Sequence, residues 1–172
     1  MALDHSLFHL IFSLGGNYFW LDFAFHLVSR FTLYLLLLIL FILFIIKGKE
    51  WGDVIKRGLL SAFFARIFLV EVIRFIAPRE RPFQVFNIDT LLPLKESSSL
   101  PSGHVTFLFA LSTTVFLFNR KWGIMFYSFS FLMGFSRIVS GLHFPGDILV
   151  GILLGIASGL IFEVIKEKKS RN

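Results

Sequence analysis

FTLYLLLLILFILFII, residues 31–46, runs for 16 positions without a charged side chain and stops against Lys47-Gly48-Lys49. A run this apolar, closed by cations, reads as a helix crossing a bilayer, whose hydrocarbon core takes about 20 residues of helix. Four more apolar runs follow it: Val54 to Ala77, Val105 to Phe118, Trp122 to Ile138 and Ile148 to Ile165. Several are short for a spanning helix, so flanking residues extend them or the helices sit in a bundle with wet ends. The expected fold is all-α, a polytopic transmembrane bundle of five to six helices. One membrane-embedded domain is expected over residues 1–172, with its transmembrane core at 31–172.

The stretch before Phe31 is apolar but broken by Gly15-Gly16-Asn17 and by Asp22, His26 and Arg30. Residues 1–30 are therefore expected to form interfacial helices lying in the headgroup region. A sixth, poorly hydrophobic span is the alternative. Met1 to His5 lack the basic segment and cleavage site of a secretory signal, so the mature chain is expected to keep them.

Composition agrees with a lipid solvent. Hydrophobic residues make up 56% of the 172, including 24 Phe, against roughly 45–50% in soluble domains. The net charge is +6, yet the cations flank apolar runs instead of forming a basic face, which argues against nucleic acid as a partner. The absence of Cys excludes disulfides, thiolate metal sites and a cysteine nucleophile.

Lys47, Lys49, Lys56 and Arg57, then Arg120 and Lys121, then Lys166, Lys168, Lys169 and Arg171 fall on one side if all five runs span. The positive-inside rule makes that side cytoplasmic. Pro78 to Gly103 and Ser140 to Gly146 then lie on the outer face, and ionisable residues concentrate there. Such groups at membrane helix ends are costly and call for a partner or a function.

Leu100-Pro101-Ser102-Gly103-His104 enters the third run. Ser is a favoured N-cap, Gly allows close backbone approach, and the first free amides of a helix attract an anion. The same tetrapeptide also fits an ordinary capped helix start. His143 and Asp147, four apart, can share one helical face, so that the carboxylate fixes the imidazole tautomer and frees the other nitrogen as nucleophile or base. A dipole-favoured Asp beside a surface His is the plainer reading. Arg74, Arg81 and Arg137 are planar cations that suit phosphoryl oxygens, and they also suit lipid headgroups or pairing with Glu71 and Glu80. The convergence of three Arg, two His and one Asp at outer helix ends favours chemistry over anchoring.

These residues carry a resemblance. Arg74-x6-Arg81-Pro82, Pro101-Ser102-Gly103-His104 and Ser136-Arg137-x5-His143-x3-Asp147 look like the three ordered motifs of the type 2 phosphatidic acid phosphatase superfamily. Arg74 stands where that pattern usually has Lys. The resemblance implies a metal-independent lipid phosphatase of the cell envelope that works through a phosphohistidine. His143 would be the nucleophile, Asp147 its orienting group and His104 the general acid and base. Arg74, Arg81, Ser102, Gly103 and Arg137 would bind phosphate. No cofactor and no metal are implied, and activity is expected to survive EDTA.

The short chain resembles bacterial undecaprenyl-diphosphate phosphatases, with the site facing the periplasm or exterior of the inner membrane. Phosphatidylglycerophosphate, phosphatidate and lipid A phosphates are the alternative substrates. A non-enzymatic anion or lipid binding or transport protein is the alternative of another class. Gly151, Gly155 and Gly159 give the last helix a flat face, expected to serve internal packing more than a homodimer. Trp20, Trp51 and Trp122 are expected to be interfacial anchors.

Overall fold

The computed structural model describes residues 2–88 and 97–171, with side chains described as far as residue 165. The side chains of Lys166, Lys168, Lys169 and Arg171 thus lie outside the described set. All regular structure among the described residues is helical: α1 (Ala2–Phe12), α2 (Phe19–Lys47), α3 (Lys49–Phe64), a π turn (Ala65–Leu69) running into α4 (Val70–Ile76), the short α5 (Pro82–Phe86), α6 (Gly103–Phe118), α7 (Arg120–Val139) and α8 (Pro145–Arg171). Of these, α2, α7 and α8 are long and apolar enough to cross a membrane. The unbroken rod of α3, π turn and α4 and the 16-residue α6 complete a five-rod bundle.

Reversals between rods cost very few residues. Gly48, at φ 70°, separates α2 from α3, a backbone setting open to glycine because it has no Cβ. Asn119 separates α6 from α7, and its side chain accepts from the Trp122 amide at 3.2 Å, an N-cap of the usual kind. Both turns lie at the bundle end that carries Lys47, Lys49, Arg120 and Lys121. The ends of α4 and α7 and the starts of α6 and α8 gather at the other.

α6 is the central rod. Val105 through Val115 are all buried, as befits a helix hydrophobic on every side. Its polar groups bond inward: Ser112 Oγ lies 3.0 Å from Ser130 Oγ and Thr113 Oγ1 2.7 Å from Tyr127 Oη on α7. α8 lies on α6 through its glycines. A Cβ on Gly155 would come within 2.6 Å of Thr106 O, and one on Gly159 within 2.6 Å of Thr113 Cβ. This close approach lets backbones and short side chains pack densely where lipid supplies no hydrophobic drive. The face of Gly151, Gly155 and Gly159 thus packs inside the protomer, the use expected of it over a homodimer.

Two expectations need correction. Residues 19–30 are not a separate interfacial helix but the first three turns of α2, which passes the expected boundary at Phe31 without a break. The interruption falls at Gly15-Gly16-Asn17, where Gly16 has φ 77° and its amide donates to Asp22 Oδ1 at 2.9 Å. Asp22, His26 and Arg30 are spaced by four, so one helix carries them as a single stripe. Trp51 is 4% exposed and packs edge-on against Phe118 and Trp122, so it belongs to the core and not to an anchoring belt. Trp20, 78% exposed, sits at a helix end as expected.

Candidate active site

The site is built on four helix ends. The Ser102 amide donates to Asp147 O at 3.1 Å, which stitches the start of α6 to the first turn of α8. That brings Pro101 to His104 and His143 to Asp147 to one end of the bundle. α7 delivers Arg137 from its last turn, and α4 delivers Arg74 from its own. Arg81 caps α5 in extended conformation at φ −85° and ψ 156°, with Pro82 at the first helical position, where a missing amide hydrogen costs nothing.

His143 is 2% exposed and Asp147 is fully buried. The imidazole lies between an acid and a base: Nδ1 is 3.5 Å from Asp147 Oδ2 and Nε2 is 3.5 Å from Arg81 Nη1. Asp147 also accepts from the Phe144 amide at 2.8 Å, from Arg79 Nη1 at 2.9 Å and from the Ser99 hydroxyl. An acid with that many donors is held as a carboxylate in one orientation. Burial pushes the His143 pKa down to about 4, against the opposing hydrogen bond that the ring donates to Asp147. The imidazole is therefore neutral at physiological pH, with a lone pair to offer.

A stability prediction follows from that depressed value. Unfolded, the imidazole takes up a proton near pH 6.5, whereas the folded protein resists until about 4. Between those values the unfolded chain binds more protons, so stability falls as pH falls. The thermal midpoint in detergent is expected to drop from pH 6.5 to 4.5, and less steeply in His143→Asn. Parallel slopes for the two proteins would contradict the burial argument.

The arginines are held without being used up. Arg81, 9% exposed, donates from Nε to Ser97 O at 2.9 Å, from Nη2 to Ser97 Oγ at 3.0 Å and from Nη1 to Leu142 O at 3.2 Å. Burial and the neighbouring Arg74 lower its pKa from the ordinary guanidinium value, but a guanidinium stays charged in proteins. Arg74 donates from Nη1 to Glu71 at 3.1 Å and from Nη2 to Pro101 O at 3.4 Å. Its planar fork thus braces two elements at once, which the single ammonium of the usual Lys would do with different geometry. Arg74 Nε, Arg137 Nε and Ser102 Oγ are buried and have no hydrogen-bond partner among the described residues. Three buried donors left open at one place are costly unless an acceptor joins them. His104 is exposed at the start of α6 and feels the charges of Arg137, Arg66 and Arg81 and the imidazole of His143.

Gly103 leaves room for a neighbouring side chain. A Cβ there would come within 2.7 Å of Arg66 Cδ and 2.9 Å of Cζ, so the close approach it allows is to the Arg66 side chain. Sequence reasoning missed four residues. Arg79 bridges Asp147 to Asp4 of α1, 2.6 Å from Asp4 Oδ2, and its guanidinium lies 4.1 Å over the Phe144 ring. Asp4 also accepts from the Gly146 amide at 2.8 Å, a cap for α8 supplied from the far end of the chain. Phe8 of α1 is wholly buried against Phe86 and Phe144. Ser99 holds Asp147, and nothing in Ser97-Ser98-Ser99 beyond loop character foretold it. Among the described residues no three His, Asp or Glu side chains gather into a metal site.

Comparison with known proteins agrees with this architecture. The bacitracin transport permease protein BcrC of Bacillus licheniformis is 28% identical over 159 residues, 92% of this chain and 78% of that protein. The undecaprenyl-diphosphatase BcrC of Bacillus subtilis is 36% identical over 95 residues, 55% of this chain and 48% of its own length. The crystal structure of Aquifex aeolicus LpxE is similar with a TM-score of 0.77 at 28% identity, covering 94% of this chain and 95% of that one. With residues 56–171 matching the PAP2 superfamily, the chain belongs to that superfamily and is an integral membrane lipid phosphatase.

Proposed function

We propose that this lipid phosphatase removes the terminal phosphate from a polyprenyl diphosphate, with undecaprenyl diphosphate the preferred substrate, through a phosphohistidine. The observation that carries the chemistry is the set of buried, unpartnered donors on Arg74, Arg137 and Ser102 beside a buried neutral imidazole. In the proposed course His143 Nε2 attacks phosphorus while Asp147 holds the proton side of the ring. The bond from phosphorus to the lipid-linked oxygen breaks, and His104 protonates that oxygen. Water then attacks the phosphohistidine, His104 takes its proton, the nitrogen–phosphorus bond breaks and orthophosphate leaves. Arg74, Arg81, Arg137, Ser102 and the first amides of α6 neutralise the equatorial oxygens, which is most of what phosphoryl transfer asks of a protein.

The substrate choice is supported by the undecaprenyl-diphosphatase among the relatives and by a site at helix ends, where a headgroup can enter sideways with its tail still in lipid. We further propose one domain over the whole chain and, from the cation distribution at the opposite end of the bundle, a site facing the periplasm or exterior of a bacterial plasma membrane. Phosphate release by purified protein in detergent tests the substrate. Prenyl diphosphates are expected to exceed phosphatidate, phosphatidylglycerophosphate and lipid A phosphates by more than about tenfold in kcat/KM. A tenfold preference for any of the monophosphates would replace this reading, and binding without turnover would return the protein to the transport class.

A further inference from the structure

Arg66 is a half-buried cation in the second apolar run that the three motifs leave without a role. In a regular α-helix, at about 100° per residue, side chains five apart diverge by about 140°. The π turn at Ala65–Leu69 absorbs one extra residue and brings Arg66 and Glu71 to within about 40° of each other. Arg66 Nη1 accordingly reaches Glu71 Oε1 at 2.7 Å. Glu71 also takes Arg74 Nη1 at 3.1 Å, so one carboxylate holds two guanidinium groups side by side. The Arg66 stem lies on Gly103, at the mouth of the α6 N-terminus and next to His104.

This pair stands on the membrane side of the site. The Arg66 side chain is 35% exposed and that of Glu71 53%, among Ile67, Phe68 and Phe75, which are 64%, 56% and 89% exposed. Arg74, by contrast, is 12% exposed and turns a bare Nε inward. By exposure, Arg66 and His104 lie outermost, Arg74 deeper, and Arg81 and His143 innermost.

We infer that Arg66 is the specificity residue for a diphosphate: it binds the lipid-linked phosphate while the terminal phosphate occupies the pocket of Arg74, Arg81 and Arg137. This rests on the polyprenyl diphosphate reading above. As the phosphoanhydride breaks, and until His104 protonates the departing oxygen, negative charge builds on the lipid-linked phosphate, and a guanidinium beside it meets that charge where it develops. A lipid monophosphate has no group at this position, so it gains nothing from Arg66. Glu71 keeps the fork aimed until phosphate oxygens compete for it.

The test is the ratio of kcat/KM for farnesyl diphosphate to that for farnesyl monophosphate, which does not depend on the fraction of active protein. In Arg66→Gln the ratio is expected to fall at least about tenfold, and in Arg66→Lys less than about threefold. A ratio unchanged in Arg66→Gln overturns the inference, as does an equal loss in both variants. Should Arg66→Gln fail to fold, Glu71→Gln decides: with its carboxylate gone, inhibition by inorganic pyrophosphate is expected to strengthen by about fivefold and inhibition by phosphate by less than twofold. Equal changes for the two anions overturn it. A wild-type enzyme that prefers lipid monophosphates sinks the substrate reading itself, whereas normal diphosphate preference with an indifferent Arg66 sinks only this assignment.

Discussion

His143→Ala is expected to lower phosphate release by at least about 10⁴-fold, because it removes the proposed nucleophile and not merely a contact to it. The loss should fall on kcat, with KM changing little, since Arg81 and Arg74, proposed to bind the headgroup, keep their own supports at Ser97, Leu142, Glu71 and Pro101. Folding should survive, for the polar contacts of the ring to Asp147, Arg81 and Ser99 are all long, 3.5, 3.5 and 3.4 Å, and the helices around it are held elsewhere. Single-turnover assays with a radiolabelled terminal phosphate check the point directly: wild type is expected to carry acid-labile label on the protein and the variant none. Residual turnover within a hundredfold of wild type would transfer the nucleophile to water and reduce His143 to a positioning residue.

Asp147→Asn is expected to cost about 10³–10⁴-fold in kcat, the scale seen when an imidazole loses the carboxylate that fixes its tautomer. The geometry makes this loss broader than a lost partner for His143. The same carboxylate receives Arg79, Ser99 and the Phe144 amide, and an amide offers one acceptor oxygen where two are in use. Arg79 would keep Asp4 at 2.6 Å, so its charge is not left unpaired and the fold should persist with a lowered thermal midpoint. Ser99→Ala, in contrast, removes one donor and leaves the rest, and a fall in kcat as deep as that of Asp147→Asn would mean that the hydroxyl and not the carboxylate sets the ring. Circular dichroism of each variant in detergent separates lost catalysis from lost structure.

The motif residues were legible because their geometry is local. His143 and Asp147 are one helical turn apart at the start of α8, and Ser102 to His104 open α6, so spacing alone places them once a helix starts there. Arg79 was invisible as a participant although it lies inside the first motif, since its partners Asp4 and Asp147 are 75 and 68 residues away. α1 was read as interfacial cover, yet it supplies Asp4 to the site and Phe8 to the core. Arg66 was not legible as a neighbour of Glu71, because regular helical periodicity turns the two apart and the π turn reverses that.

By itself the sequence determined the solvent, the number of long rods, which helix ends carry the chemistry and which residues stand within one turn of each other. All of these follow from hydrophobic run length and the 3.6-residue repeat. Tertiary structure alone decided what covers the site and what braces it: α8 laid on α6 through glycine, α1 folded back over Phe144, and Ser99 and Arg79 brought to Asp147. Those contacts depend on interhelical packing, where the closest approach of two backbones and the path of a connecting loop are set by side chains far apart in the chain, and no local period records them.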